Sequence, residues 1–136
     1  MSPPAGWSPL VEAFLDRPIL AVLATHAPNG SISQSVVWFA REEQTVWVSC
    51  RPHSAKARHV GRDPRVSLLA LAPHGGSYVR VEGTATLDEI VTPGRRLALV
   101  TPYEGADAAL WIAQNPLPSP NALLRLHPDR VVSRGL

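Results

Sequence analysis

Three kinds of residue are scarce in this chain, and each scarcity closes off a class of protein. Cys50 is the single cysteine among 136 residues, so no disulfide can form within the chain and an oxidising compartment is not implied. Long apolar runs are missing: Ile19–Ala24 and Val66–Ala72, the latter broken by Ser67, are too short to span a bilayer. The start, Met1 to Trp7, lacks the positive residues and apolar stretch of a secretion signal. These features lead us to expect a cytoplasmic protein that does not enter a membrane. Charge is sparse too, at 18% of residues with a formal net charge of +2. The arginines are scattered, without the interleaved aromatics of a single-strand groove, so nucleic acid is not an expected partner. No phosphate-loop or dinucleotide fingerprint is present, and no serine–histidine motif marks a catalytic triad. Lysine is the scarcest cation: of thirteen basic side chains twelve are arginine, leaving Lys56 alone.

What remains reads as a globular chain of single-domain size, because 45% hydrophobic residues are enough for a core. Ser8 can cap a short helix over 8–16, with Pro9 at its first position and Leu10, Val11 and Phe14 on one face; Pro18 ends it. Ile19 to Thr25 is an apolar run of strand length, and Asn29-Gly30 signals a hairpin into a return strand from Ile32 to about Ala40. Arg41 to Gln44 reads as a turn, and Thr45–Cys50 as a third strand with Val46 and Val48 alternating against Trp47 and Ser49. Arg51 to Val60 then reads as a loop opening a helix capped by Ser54 and stopped by Gly61 and Asp63-Pro64. Val66–Ala72 is a buried strand. From Tyr78 to Leu87, Val79, Val81, Ala85 and Leu87 point one way and the polar residues the other, with Gly83 where a strand must bend or another backbone approaches. Two helical stretches, 92–100 and 106–115, precede a Pro-rich connector at 116–120 and a last strand within 122–132. This order predicts a mainly β fold, an antiparallel barrel with helices packed outside, in one domain over 1–136.

The helix start after the third strand is the clearest candidate site. Free backbone N–H groups and the positive end of the helix suit an anion, and Ser54, Lys56 and Arg51 add a hydroxyl and two charges. The plainer alternative is a capping serine and a solvated lysine. Cys50, His53 and His59 lack the spacing and fourth partner of a metal site, so no metal is expected.

Three segments together resemble the pyridoxamine 5'-phosphate oxidase-like split β-barrels that bind FMN. They are Ala21–Thr25 with Asn29-Gly30 and Ser35–Phe39, then Val48–Leu68, then Tyr78–Leu87; Leu123–Val131 closes the match. The segment around Lys56 is more similar to the flavin/deazaflavin oxidoreductase branch, whose members use coenzyme F-420. The resemblance spans roughly residues 10 to 134, with 92–120 alike only in layout. It implies an FMN-binding-like split barrel holding FMN or coenzyme F-420 at a homodimer interface and passing hydride to a small-molecule substrate. Ser35, Val36, Val37 and Trp38 would lie along the ring, and Ser49 and Cys50 beside the ribityl-phosphate arm. Lys56 would meet the phosphate, with Arg51, Ser54, Ala55 and His59 around it, and Tyr78 would approach from the neighbouring strand or across the dimer. Two departures stand out. Ser54 and Ala55 occupy positions where relatives carry arginine, and His59 stands where asparagine is common, leaving Arg51 or Arg58 to supply the charge. A non-catalytic flavin- or haem-sequestering module is the alternative function. A true pyridoxamine 5'-phosphate oxidase is disfavoured because the chain stops soon after its last strand. The resemblance assigns no catalytic acid or base.

Overall fold

A computed structural model describes residues 2–136. Ser8 caps helix α1 (Pro9–Leu15) by accepting from the Val11 amide at 3.2 Å. The buried stripe is Val11, Phe14 and Leu15, while Leu10 is 64% exposed. That corrects the expected face: positions i, i+3 and i+4 share a side, and the set beginning at Val11 is the one turned inward.

Strands β1 (Ala21–His26), β2 (Ile32–Val37), β3 (Ala40–Glu42) and β4 (Thr45–Cys50) follow, then helix α2 (Ala55–Arg62), β5 (Arg65–Leu71) and β6 (Tyr78–Ile90). Helices α3 (Pro93–Glu104) and α4 (Ala108–Gln114), joined by a 3-10 turn over Gly105–Asp107, precede β7 (Ala122–Arg134). Arg41 and Glu42, expected in a turn, extend instead as β3 against Val46 and Thr45. Gly61 does not stop α2. The helix ends one residue later, where Pro64 forces Asp63 into extended backbone at φ −137°.

All seven strands join one antiparallel sheet in the order β2-β1-β5-β6-β7-β4-β3. β1 and β2 lie at one end of it and β3 and β4 at the other, so consecutive hairpins are separated by the long β6–β7 pair. That pair bends where Gly83 faces Pro128, at a register shift after Glu82. Proline supplies no amide to the ladder there, and a Cβ on residue 83 would stand 2.0 Å from the His127 carbonyl oxygen. Only glycine fits this crossing.

The interior is filled by alternate residues: Ala21 and Leu23 from β1, Val46, Val48 and Cys50 from β4, Val79 and Val81 from β6, Leu124 and Leu126 from β7. A second, smaller core forms on the other side of β4, where Trp47 packs with Val91, Leu99 and Leu123. It seats α3 on the sheet. Outside the main core, alternate residues of β2 and β5 leave Ile32, Val36 and Leu71 exposed, along with Leu20 just before β1. Tyr78, paired with Leu71 and adjacent to the inward Val79, shares that outer face. No helix among the described residues is long and apolar enough to cross a membrane.

Candidate functional site

The turn from β4 into α2 is built as its residues require. Cys50 points into the core, Arg51 emerges, and the Ser54 amide donates to the Arg51 carbonyl at 3.0 Å. Ser54 Oγ then accepts from the Ala57 amide at 3.3 Å, committing one lone pair to the helix cap. Lys56, in the first turn, is half-buried. Arg58 is turned away and donates to the His53 carbonyl at 2.7 Å.

Lys56 and Arg51 face a cleft of about 480 Å³, a size that suits a small organic ligand or cofactor. One wall is the end of β2 with Val36, Val37 and Trp38. Ser49 and Asn121 form part of the floor, and the α3–α4 segment closes the far side with Arg96, Leu99 and Trp111. Trp38 ties the walls together. Its ring stacks on Tyr103 at 4.6 Å and 7°, and the Trp111 ring lies tilted against it at 5.2 Å and 41°. The Tyr103 hydroxyl donates to the Ile19 carbonyl at 2.8 Å and accepts from the Phe39 amide at 3.2 Å, latching α3 to the strands. Burial pushes the Tyr103 phenol up from its ordinary pKa, so it stays protonated in this latch at neutral pH.

The cleft is electrostatically one-sided. Arg51, Lys56 and Arg96 line it, and no aspartate or glutamate does. Among the described residues none of these three cations takes part in an ion pair, whereas the neighbouring Arg95 is paired with Glu89 at 3.3 Å. Arg96 lies over the Trp111 ring at 5.7 Å and donates to the Asn115 carbonyl. The arrangement is fitted for an anionic ligand with an apolar, flat portion against Val36, Val37 and Trp38.

Six of the twelve sequence-predicted positions therefore meet in this cleft: Val36, Val37, Trp38, Ser49, Arg51 and Lys56. Six do not line it. Ser35 sits beyond Val36 on β2, Ser54 caps α2, and Ala55 starts the same helix with its side chain exposed. Cys50 is 3% exposed, and burial raises its thiol pKa more than the Lys56 charge and the Ser54 hydroxyl lower it. His59 shares a hydrogen bond of 2.9 Å between its Nδ1 and the buried Thr25 hydroxyl, which draws it toward β1. Tyr78 stands on the outer sheet face instead. Arg51, not Arg58, is the arginine that joins Lys56 in the cleft. Sequence reasoning missed Arg96, Trp111, Asn121 and the Tyr103 latch, because they come from the α3–α4 segment and the connector just before β7, where no local pattern announces a site.

A family model described as pyridoxamine 5'-phosphate oxidase matches residues 8–134. The chain belongs to that family. Solved structures with the same fold include an F420 reductase, 24% identical over 95% of this chain and 98% of that one, with a TM-score of 0.70. A conserved hypothetical protein of Mycobacterium tuberculosis is 24% identical over 98% of this chain and 88% of that one, with a TM-score of 0.75. The haem storage protein HutZ of Vibrio cholerae is 16% identical over 95% of each chain, with a TM-score of 0.69. At such identities these likenesses establish the fold, a split barrel of the pyridoxamine 5'-phosphate oxidase type, and leave the ligand to the residues of the cleft.

Proposed function

We propose that this family member is a flavin- or deazaflavin-dependent oxidoreductase that transfers hydride between bound FMN or coenzyme F-420 and a small organic substrate. The observation that carries the reading is the pairing of an apolar strand wall with three cations, none of them in an ion pair, in one cleft. Lys56 and Arg51 would hold the cofactor phosphate, helped by the amides at the start of α2. Val36, Val37 and Trp38 would lie along the ring. The cofactor, when bound, supplies the hydride chemistry; the chain orients ring and substrate and limits water access. Trp38, Trp111 and the latched Tyr103 serve the last purpose. Coenzyme F-420 is favoured over FMN by the sequence around Lys56.

The protein works as a homodimer in this reading, with sites at the interface. Leu20 and Val36 support it, because they line the cleft yet remain 54% and 65% exposed on the outer sheet face. A second copy packed there would cover them and would bring its Tyr78 to the mouth of the cleft.

A non-catalytic haem-sequestering role is the second reading, motivated by the haem storage protein among the structural neighbours. The cleft favours it less, since the lining that one chain supplies offers no histidine, cysteine, methionine or tyrosine to ligate iron. Fluorescence titration with oxidised and reduced FMN and F-420 tests the enzyme reading. Failure of both to bind at about tens of micromolar, near −6 kcal/mol, refutes it. Binding without turnover across a broad panel of electron acceptors leaves sequestration.

A further inference from the structure

Two adjacent arginines near the start of α3 are used in different ways. Arg95 reaches Glu89 at 3.3 Å and is neutralised there. Arg96 is half-buried, lines the cleft and, among the described residues, pairs with no acid. Leu99 and Val100, three and four residues on, line the cleft with it, so all three lie on one side of α3. A cation drawn partly out of water ordinarily gains a counter-charge in return. Arg96 gains support without charge. Its guanidinium lies 5.7 Å from the centre of the Trp111 ring and donates to the Asn115 carbonyl. The Asn115 side chain donates in turn to the Trp111 carbonyl at 2.8 Å, which closes a small frame at the end of α4. A ring face and a neutral carbonyl hold the guanidinium in place. They leave its full charge and most of its N–H donors unspent.

That charge is surplus to the helix corner. A phosphomonoester carries about −1.5 to −2 at neutral pH, which Lys56 and Arg51 balance between them. The lining holds three cations and no acid, so one positive charge is left over. Its setting differs as well. The side-chain hydrogen bond and the ring contact of Arg96 both go to α4 and its end. Trp111, which supports it, lies 5.2 Å from Trp38, the residue read as lying along the cofactor ring. The surplus charge therefore belongs to the cap wall beside the ring, and a singly charged partner satisfies it. A planar fork of donors suits a carboxylate, which accepts two parallel N–H···O bonds.

We infer that Arg96 is a specificity-determining residue that selects a small, flat organic carboxylate as the second ligand of the cleft, with the acid group on its guanidinium and the apolar part against Trp38 and Trp111. This names the substrate class of the proposed oxidoreductase and rests on that reading. Coenzyme F-420 carries carboxylates of its own, so the test separates a substrate acid from a cofactor acid.

The full-length chain is loaded with FMN, which has no carboxylate, and titrated with two matched pairs of probes: cinnamate with cinnamamide, and benzoate with benzamide. Binding is read from the perturbation of the flavin absorption bands. Wild type should bind each acid about tenfold more tightly than its amide, about the gain from one charge-assisted contact. In Arg96→Gln the gap should shrink to about twofold or less, with amide binding and the Kd for FMN unchanged. Arg96→Lys, which keeps the charge without the fork, should retain about threefold. Lys56→Ala at saturating FMN should keep the full gap. A gap absent in wild type or surviving Arg96→Gln overturns the proposal, and so does an equal loss of acid and amide, which marks a structural role. Weaker binding of F-420 to Arg96→Gln, with FMN unaffected, overturns it too by assigning Arg96 to the cofactor. Failure of the wild-type chain to bind either FMN or F-420 refutes the cofactor reading itself, a result distinct from loss of the acid preference in a loaded protein.

Discussion

Removing the ammonium of Lys56 probes the proposed phosphate corner most directly. In Lys56→Ala one charge-assisted hydrogen bond to the cofactor phosphate is lost, worth about 1.5–3 kcal/mol, or roughly 10- to 100-fold in Kd. The lower end is expected. Lys56 is half-buried, so solvent screens it in part, and Arg51 and Arg96 remain in the cleft. The fold should not suffer: Lys56 forms no ion pair, and alanine is the better helix former at a helix start where a cation opposes the dipole. Fluorescence titrations with FMN and riboflavin, which differ only in the phosphate, give the decisive comparison. FMN affinity should fall about tenfold while riboflavin affinity stays constant, and the salt dependence of FMN binding should flatten. Equal weakening of both ligands, or no weakening of FMN, would place the phosphate elsewhere and remove the main support for the cofactor assignment.

Other substitutions test the frame around the site. Gly83→Ala should destabilise by about 3 kcal/mol or prevent folding, since the new Cβ meets backbone at 2.0 Å. Gly61→Ala, which meets nothing within 4 Å in α2, should stabilise by about 0.5–1 kcal/mol; urea denaturation of the two variants separates the claims. Tyr103→Phe leaves the Phe39 amide without its partner and should cost about 1–3 kcal/mol by the same assay; an unchanged midpoint refutes the latch. Hydrogen bonding from Arg125, ahead of the nearby charges of Arg125 and Arg95, holds the Glu89 carboxyl below its ordinary pKa. Its stabilising effect is complete above the unfolded value of about 4.3 and fades as pH falls through the folded one. The stability gap between wild type and Glu89→Gln should therefore close on acidification; a gap independent of pH contradicts the ion-pair account.

The barrel was legible because its signals are local. Val46, Val48 and Cys50 alternate with Trp47 and Ser49, Asn29-Gly30 marks a hairpin, and Ser54 caps a helix whose first turn carries the only lysine. Each fixes its neighbours within a few residues. The errors have local causes too. β3 is short and polar, so its pairing with β4 left no trace in hydrophobicity, and Gly61 is tolerated one residue before a stop that Pro64 imposes. The other half of the cleft was hidden because it depends on contacts between distant residues. Asn121 meets Ser49, Tyr103 meets Ile19 and Phe39, and Arg96 meets Trp111 and Asn115, none at a spacing that periodicity registers. Cys50 and His59 show the converse: adjacency in sequence to the corner did not put their side chains in it.

The outward face of β4 explains how the two halves come together. Trp47 and Ser49 leave the same side of the strand. Trp47 buries itself with Val91, Leu99 and Leu123 and so fixes where α3 lies, while Ser49, two residues along, forms part of the cleft floor. One strand face therefore both anchors the helical cap and begins the binding surface, and the distance between cap and floor is set by a few side chains plus the Tyr103 latch. The cleft residues Val36, Val37, Arg51 and Lys56 belong to the barrel and to the turn from β4 into α2, which the main core holds. Arg96 and Trp111 belong to the cap, which a much smaller core holds. Substitutions in the cap should therefore reshape the far wall of the cleft, and with it the choice of ligand, while leaving the barrel and the Arg51–Lys56 corner in place.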